Sequence, residues 1–421
     1  MPDIAMLERV TPAAVPDSAR QQLDIRHVMV VERDAHPNAA NGVHNVALWL
    51  VREQQAAGHA AHLLLLSAAR PAAQPENCHT TCVVPIAGLT IRGRIIHLKR
   101  DVLDTVLAGA DDRTVFHIHG GREPLLVGLA HRLRTRGIPY IVTVHGRFSH
   151  VYDSAGRCLK HSTALYLRLI ERRLLTGARF VHALSGSEEQ ILRRIAPRAV
   201  IDVVGNGAYS SRLGPPLAQP DTRPPSANYP HFVFCGRYAI HHKGLDLLFR
   251  GFAQYRQGGG RGHLTTVGSG PMRADLLRLA EQLGIAQAVT VHGPLFGRER
   301  DAVLHGGDFF IMPSRFEGIP LAALEAALLG LPLLVTSETG LRDAVESRGA
   351  GISIDALTAE AICAAMRRAA ALSSAHWSDQ CASAYSLVAA TGDWTTIAAR
   401  LCALYQAQDM RTNPCGIEST S

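Results

Sequence analysis

Lysine is almost missing from this sequence. Three lysines, Lys99, Lys160 and Lys243, stand against 40 arginines. Where lysine does occur, composition alone does not explain it. Cysteine is present but unorganised: eight are scattered along the chain, and only Cys78 and Cys82 lie close together, as C-H-T-T-C, with no second pair to complete a zinc site. Unpaired thiols in a chain of this size predict a reducing, cytoplasmic setting. No apolar run reaches the roughly 18 residues of a membrane span. The nearest candidate, around residues 319–336, is interrupted by Glu325. No Gly-Lys-Ser/Thr occurs, which excludes a P-loop. In G-S-G-P-M-R, residues 268–273, Arg273 stands where a dinucleotide-binding turn needs its third glycine. Of the 21 histidines, those of "HIHGG" and the pair at 241–242 lack carboxylate or cysteine partners at helical spacing, and no metal site is expected.

What is present is a repeated alternation. The chain has 421 residues, 47% of them apolar and 19% charged, enough for two domains with a core each. Residues 1–24 are a polar, Pro/Ala-rich lead-in without the features of a secretory signal. From "DIRHVMVV" to "VVGNG", residues 25–207, short β-rich runs alternate with amphipathic helical stretches, which predicts a doubly wound parallel α/β sheet. "GPPLAQPDTRPPSANYP" holds six prolines in 17 residues and can join neither a helix nor a strand interior, so residues 208–229 read as a linker. The alternation restarts at "HFVFCG" and runs over residues 230–392. A terminal helix over 393–408 is a candidate for returning to the first domain, and 409–421 is a tail. Two Rossmann-like domains then face a cleft, with ligands beyond the carboxyl ends of the strands.

Charge divides unevenly between the halves. Residues 1–205 carry a net +7 and residues 206–421 a net of zero. The excess is densest from Arg92 to Arg198, with 19 basic residues against nine acidic. Such a surface attracts an anionic partner. An arginine-rich genome is the plainer explanation.

"PSRFEGIPLAALEAALLGLPLLVT", Pro313 to Thr336, holds two carboxylates inside an apolar segment, and carboxylates are rarely buried unpartnered. Proline is tolerated at a helix start and not inside, so the helix is predicted to begin near Pro320, with Glu317 in the loop before it and Glu325 in its second turn. The amides at 318–322 would form a helix N-terminus suited to an anion. The alternative, a solvated helix face at Glu325, lacks polar neighbours. In "CGRYAIHHKGLDLL", Arg237 and Lys243 lie six apart between Gly236 and Gly244. A rare lysine beside an arginine fork suits a phosphate.

These stretches, with "VGSGP" and "VTVHG", resemble the second domain of retaining glycosyltransferases of family 4, whose fold is GT-B. Glu317 and Glu325 match the family's E-x7-E signature. "NGVHNVALWLVREQQAAGH", "VTVHG" at 142–146 and "VVGNG" at 203–207 resemble the Gly-rich loop, the histidine-ended strand and the last strand of the first domain. The resemblance spans about residues 27–405. It implies a nucleoside-diphosphate sugar as donor substrate, with no cofactor, and a glycan or lipid-linked acceptor. Glu325 would bind ribose hydroxyls. Arg237 and Lys243 would hold the diphosphate. Glu317 and the amides of Gly318, Ile319, Pro320 and Leu321 (proline supplying none) would meet sugar and phosphate. His145 would meet the sugar's C6 hydroxyl, Gly42 would admit the phosphate, and Gly293 to Leu295 would contact the base through backbone. Two departures stand out: Asn41-Gly42 where the family has Gly-Gly, and Pro320 where it has glycine.

The sequence contains no Asp-x-Asp, the metal-holding motif of the other main glycosyltransferase fold, so metal-independent catalysis is expected. The charge on the leaving diphosphate would be met by Arg237, Lys243 and the helix start. A nucleotide-sugar-processing enzyme of the hydrolysing-epimerase type and a catalytically silent binding module are the alternatives. Relatives that glycosylate lipid-linked acceptors at the cytoplasmic face of the inner membrane make an anionic membrane surface a further candidate partner. The basic segment "LKHSTALYLRLIERRLL", with Leu165 and Leu169 on one strip, is the candidate contact. Nucleic acid is not an expected partner.

Overall fold

The computed structural model describes residues 22–31, 42–67, 81–86, 90–91, 94–95, 99–148, 151, 161–208 and 229–407. The lead-in before residue 22, Asn41, Cys78, Lys160, most of the Pro-rich linker and the tail from residue 408 lie outside them.

The first domain is a seven-stranded parallel sheet. Its chain order is β1 (Asp24–Val31), α1 (Gly42–Ala56), β2 (Ala60–Ser67) and β3 (Thr81–Pro85), then a short hairpin of β4 (Thr90–Ile91) and β5 (Arg94–Ile95). There follow α2 (Arg100–Leu107), β6 (Thr114–His119), α3 (Pro124–Thr135), β7 (Tyr140–Thr143), α4 (His161–Tyr166), α5 (Arg172–Thr176), β8 (Phe180–Ala183), α6 (Gly186–Ile195) and β9 (Ile201–Val203). The strand order is β3-β2-β1-β6-β7-β8-β9. The chain reverses direction across the sheet between β1 and β6, so the loops after these two strands diverge and leave a crevice.

The second domain has six parallel strands, β10 (His231–Cys235), β11 (His263–Val267), β12 (Val289–Val291), β13 (Phe309–Met312), β14 (Leu333–Thr336) and β15 (Gly351–Ile354). Their order is β12-β11-β10-β13-β14-β15, with its reversal between β10 and β13. Its helices are α7 (Ile240–Lys243), α8 (Leu245–Gln257), α9 (Arg273–Gln282), α10 (Gly297–His305), α11 (Leu321–Leu328), α12 (Arg342–Arg348), α13 (Ala359–Ala370) and α14 (Ser374–Thr391). The expected α/β architecture is therefore present in both halves. Strands such as β13 (FFIM) and β14 (LLVT) are buried at every residue, because helices cover both faces of a parallel sheet.

The last helix, α15 (Trp394–Ala407), leaves the second domain and packs on α1 of the first. Trp394, Ile397, Leu401 and Tyr405 share a core with Ile25, Trp49, Val115 and Phe180. Side chains alternate along a strand. On the face that α1 and α15 cover, β1 therefore shows Ile25, His27 and Met29, β6 shows Val115, His117 and His119, β7 shows Ile141 and Thr143, and β8 shows Phe180 and His182. The register turns polar toward the carboxyl ends of these strands, where the cleft lies.

Two local differences from the sequence reading have physical causes. "STALYLRLIERRLLTG" is not one regular helix: a π turn at Leu167–Glu171 separates α4 from α5. The extra residue turns Glu171 into the core, where its Oε1 accepts the Arg122 amide at 3.0 Å. Leu165, Leu169 and Ile170 are 58%, 50% and 38% exposed, so the leucines of this strip are surface and not core. The strand expected in "VVGNG" ends at Val203, and Asn206 beyond it bonds across to the second domain.

Glycine positions in two helices give a sign test of packing. A Cβ on Gly251 in α8 would lie 2.7 Å from the Ala359 carbonyl and 2.8 Å from Ile362, because α13 rests on that backbone. Gly128 in α3 has open space instead. Gly251→Ala is expected to destabilise by about 1–3 kcal/mol, whereas Gly128→Ala gains about 0.5–1 kcal/mol. Urea unfolding of the two variants measures both, and a gain at Gly251 would contradict the close helix contact.

Candidate active site

The loop after β10 and the loop after β13 meet at the reversal of the second sheet. Lys243 ends α7, and its Nζ makes an ion pair and a short hydrogen bond with Glu317 Oε1. The two side chains are only 13% and 14% exposed. Ser314 Oγ donates to the same oxygen at 3.3 Å. The position of Glu317 is fixed by its surroundings: its amide donates to Glu338 O at 2.9 Å, and Arg315 clamps the loop to α8 through Asp246, with two bonds of 2.7 Å. His242 stacks on Phe316 with ring centroids 4.2 Å apart, and its Nε2 donates to the Phe316 carbonyl at 2.9 Å. Burial lowers the pKa of His242 to about 4, so it is neutral, with Nδ1 as acceptor 3.5 Å from Arg237 Nη2. Arg237 itself is exposed at the mouth of the loop.

Pro320 is the residue before α11, which runs from Leu321, one residue later than a proline start would put it. Glu325 lies in the second turn. Its Oε2 accepts from Arg300 Nη1 at 2.8 Å, and Arg300 is held in turn by Asp301 at 2.7 and 2.9 Å. Both carboxylates of the apolar segment are thus partnered, Glu317 by a lysine 74 residues away and Glu325 by an arginine 25 residues away. Gly293 has open space around its Cα, and Leu295 is half-buried on the same side of the domain.

The first domain brings His145 to this cluster. β7 ends at Thr143, and the chain then turns through His145 at φ +52° and Gly146 at φ +72°. A left-handed non-glycine residue is uncommon and must be held by its surroundings. Glu188 holds it. Ser185 caps α6 by accepting the Glu188 amide at 3.2 Å, and the buried Glu188 carboxylate accepts Gly146 N at 2.5 Å and Leu184 N at 2.7 Å. Burial raises the Glu188 pKa while these two amides oppose the rise. Gly146 lies directly against the second domain: a Cβ there would be 2.5 Å from Gly318 N. Asn206 Nδ2 donates across the cleft to Ile319 O at 3.0 Å. His145, Glu317, Gly318, Ile319 and Lys243 are therefore drawn together. Gly42 opens α1 with open space about it, outside this cluster.

Behind His145 lies a set of groups that spacing along the chain did not reveal. His119 Nδ1 is 2.9 Å from His145 Nε2, and His27, His117 and His182 follow on the same sheet face. Ligand atoms of His27, His117 and His119 lie within 4.8 Å of one another, a geometry that could gather a metal. All six ring nitrogens of the three are already hydrogen-bonded, so a cation would have to break that network. Arg300, Arg315, Glu188 and Asn206 were also not found from sequence. Only Glu188 had a local signal, the Ser-x-x-Glu of a capping box.

Burial lowers the pKa of His27 and His182 to about 4 and that of His145 to about 3, and holds His117 and His119 well below 6.5. In the unfolded chain these groups titrate near 6.5. Below that pH the unfolded state binds protons that the folded state refuses, so stability falls as pH falls, from about 6.5 down to the folded values. Each such histidine contributes up to about 1.4 kcal/mol per pH unit. Urea midpoints at pH 7.5, 6.5 and 5.5 should decline steeply below 6.5, and a flat response would mean that these rings titrate normally.

Comparison with known proteins agrees with this geometry. Residues 41–207 match the family model described as glycosyl transferase 4-like domain, and residues 229–371 match glycosyl transferases group 1. The chain is 30% identical over 236 residues to a 2-deoxystreptamine glucosyltransferase of Streptomyces kanamyceticus, covering 54% of this chain and 60% of that one. It is 30% identical over 161 residues to a GDP-mannose-dependent alpha-(1-6)-phosphatidylinositol monomannoside mannosyltransferase of Mycolicibacterium smegmatis, covering 34% and 42%. The chain thus spans less than two thirds of the length of these curated relatives. Among solved structures, sucrose-phosphate synthase of Thermosynechococcus elongatus superposes with a TM-score of 0.71 at 21% identity, over 93% of this chain and 100% of that one. With both domains matched and both halves of the cleft in place, the chain belongs to the GT-B glycosyltransferases, a glycosyl transferase 4-like domain joined to a group 1 domain.

Proposed function

We propose that the protein is a retaining, metal-independent glycosyltransferase of family 4 that moves a sugar from a nucleoside-diphosphate sugar to a glycan or lipid-linked acceptor. The observation that carries this reading is the meeting of Lys243 and Glu317 with the His145–Gly146 turn across the cleft. Departure of a nucleoside diphosphate builds negative charge. Arg237, Lys243 and the amides at the start of α11 are the cationic or donor groups that would meet that charge. In the free protein Lys243 is paired with Glu317, so an incoming diphosphate would compete with this carboxylate for the ammonium. Glu317 would then be free to accept from a sugar hydroxyl. Glu325 takes the ribose hydroxyls beside Arg300, and His145 takes a hydroxyl of the sugar. Gly42 and the Gly293–Leu295 backbone approach phosphate and base. The chain carries no evident nucleophile in this cluster, which favours front-side departure and attack. The absence of Asp-x-Asp from the sequence favours protein cations over a metal. Since one relative's name specifies GDP-mannose and another's a glucosyl group, the base and sugar are left open.

A panel of UDP-, GDP- and ADP-sugars tests the donor. A ligand at 100 times its Kd should stabilise the protein by about 2.7 kcal/mol. Glu325→Ala should weaken nucleoside-diphosphate binding by about 1.5–3 kcal/mol, and unchanged affinity would defeat the ribose assignment. Lys243→Ala should lower turnover more than donor affinity. Transfer should survive excess EDTA. Donor hydrolysis without transfer would favour the epimerase-like alternative, and binding without either would favour a silent module.

Membrane docking of the first domain, at the cytoplasmic face, is part of the same proposal. Leu165, Leu169 and Ile170 are exposed beside Arg168, Arg172 and Arg173, an apolar strip edged with cations. No helix among the described residues is long and apolar enough to cross a membrane. Anionic lipid fits such a strip, each cation adding about 1 kcal/mol near the surface. Co-sedimentation should appear with anionic vesicles at low salt, fail with neutral ones and fade at high salt. Recovery in the soluble fraction under all three conditions would point to a soluble acceptor.

A further inference from the structure

The buried polar groups behind His145 form two runs of hydrogen bonds that meet where Tyr405 lies against Gln54, and a backbone carbonyl sets the direction of the first. Val204 O can only accept, so His182 Nε2, 2.7 Å away, carries the proton. A neutral His182 then has a bare Nδ1, which accepts from the Thr143 hydroxyl at 2.8 Å. Thr143 has spent its proton, so its Oγ1 accepts from His117 Nε2 at 2.6 Å. His117 Nδ1 is thereby bare and accepts from the Tyr405 hydroxyl at 2.7 Å.

Tyr405 can now only accept from the Gln54 amide that lies against it. This contact falls short of a full hydrogen bond, since Gln54 Nε2 is buried without a partner. It nevertheless turns the amide nitrogen toward Tyr405 and the oxygen toward His27. Gln54 Oε1 accepts from His27 Nε2 at 2.8 Å, His27 Nδ1 accepts from His119 Nε2 at 2.8 Å, and His119 Nδ1 accepts from His145 Nε2 at 2.9 Å. Every ring donates through Nε2. The imidazoles of His27, His117, His119 and His145 are stacked, with centroids 4.3 to 5.1 Å apart.

We infer that this network fixes His145 as its Nε2–H tautomer, so that it presents a bare Nδ1 and acts on the sugar as a hydrogen-bond acceptor, with Gln54 and Tyr405 as positioning residues. The tautomer of a histidine is set by the bond its other nitrogen makes. The role of His145 toward a sugar hydroxyl rests on the function proposed above; the tautomer does not. Two helices from opposite ends of the chain, α1 with Gln54 and α15 with Tyr405, thus act on one ring at the cleft.

Long-range proton–nitrogen NMR spectra of the histidine rings in the full-length protein near neutral pH decide the tautomer. His145 is expected to show a protonated Nε2 and a bare Nδ1. An Nδ1–H tautomer or an imidazolium overturns the inference. Gln54→Met keeps the volume and removes the acceptor. It should mix the His145 tautomers and lower kcat by about 10- to 100-fold, the range for groups that orient a functional histidine. The donor KM should hold within about twofold, because the lost contact acts on the reacting geometry. Wild-type kcat and unchanged rings in Gln54→Met overturn the role of Gln54. If that variant does not fold, Tyr405→Phe removes the hydroxyl that orients the amide and is read in the same way. A wild-type protein with the expected tautomer but no donor binding would sink the proposed function and the sugar role of His145, and leave the tautomer standing. Transfer with a different tautomer would do the reverse.

Discussion

Desolvation governs both halves of the cleft, and the two halves meet it in opposite ways. A charge withdrawn from water must be paired or given up. The second domain pairs: Glu317 with Lys243, Glu325 with Arg300, Asp246 with Arg315. The first domain gives charge up: its histidines are held neutral by burial and satisfy one another as donors and acceptors. The ionic half is therefore suited to an anion and its departure. The neutral half is suited to the uncharged hydroxyls of a sugar. On the function proposed above, each half would be poorly placed in the other's role, since a cationic histidine cluster beside Gly318 would compete for the donor's diphosphate.

Topology delivers these side chains to one place. In each sheet the strand order reverses once, between β1 and β6 and between β10 and β13; His119 ends β6 at that reversal, and the loops beyond carry Gly120, Arg237 and Glu317. The two crevices are joined where backbone meets backbone at Gly146 and Gly318, an approach that any side chain on Gly146 would obstruct. The clamp of Glu188 on that turn explains how a histidine can hold φ +52° there.

Much of this was readable from the chain. Alternating β-rich runs and helical stretches gave both α/β domains, and the E-x7-E spacing with the rare lysine pointed to Glu317, Glu325, Arg237 and Lys243. Proline at 320 marked the helix start to within one residue. The partners were not readable. Arg300 meets Glu325 only because the fold brings α10 within side-chain reach of α11, and His27 meets His119 only because β1 and β6 are adjacent in this register. Pairing of that kind is decided by tertiary structure, and the local pattern of "DIRHVMVV" contains no trace of it. The π turn was hidden for a related reason, since a single extra residue leaves the apolar spacing of "LYLRLIERRLL" almost unchanged.

The return of α15 to the first domain bears on how the chain is made. Domains usually fold as units, the N-terminal one first, as they emerge during synthesis. Here the first domain's core includes Trp394, Ile397, Leu401 and Tyr405, the last large side chains among the described residues. Until they have been synthesised, Ile25, Trp49, Val115 and Phe180 have only α1 on that side. Residues 22–208 can form their sheet early, but the part of this face that α15 covers must stay open to water while the whole second domain is translated. Completion of the first domain thus waits on residues 394–405, and a chain cut short before residue 394 is left with an exposed apolar surface that quality control can read.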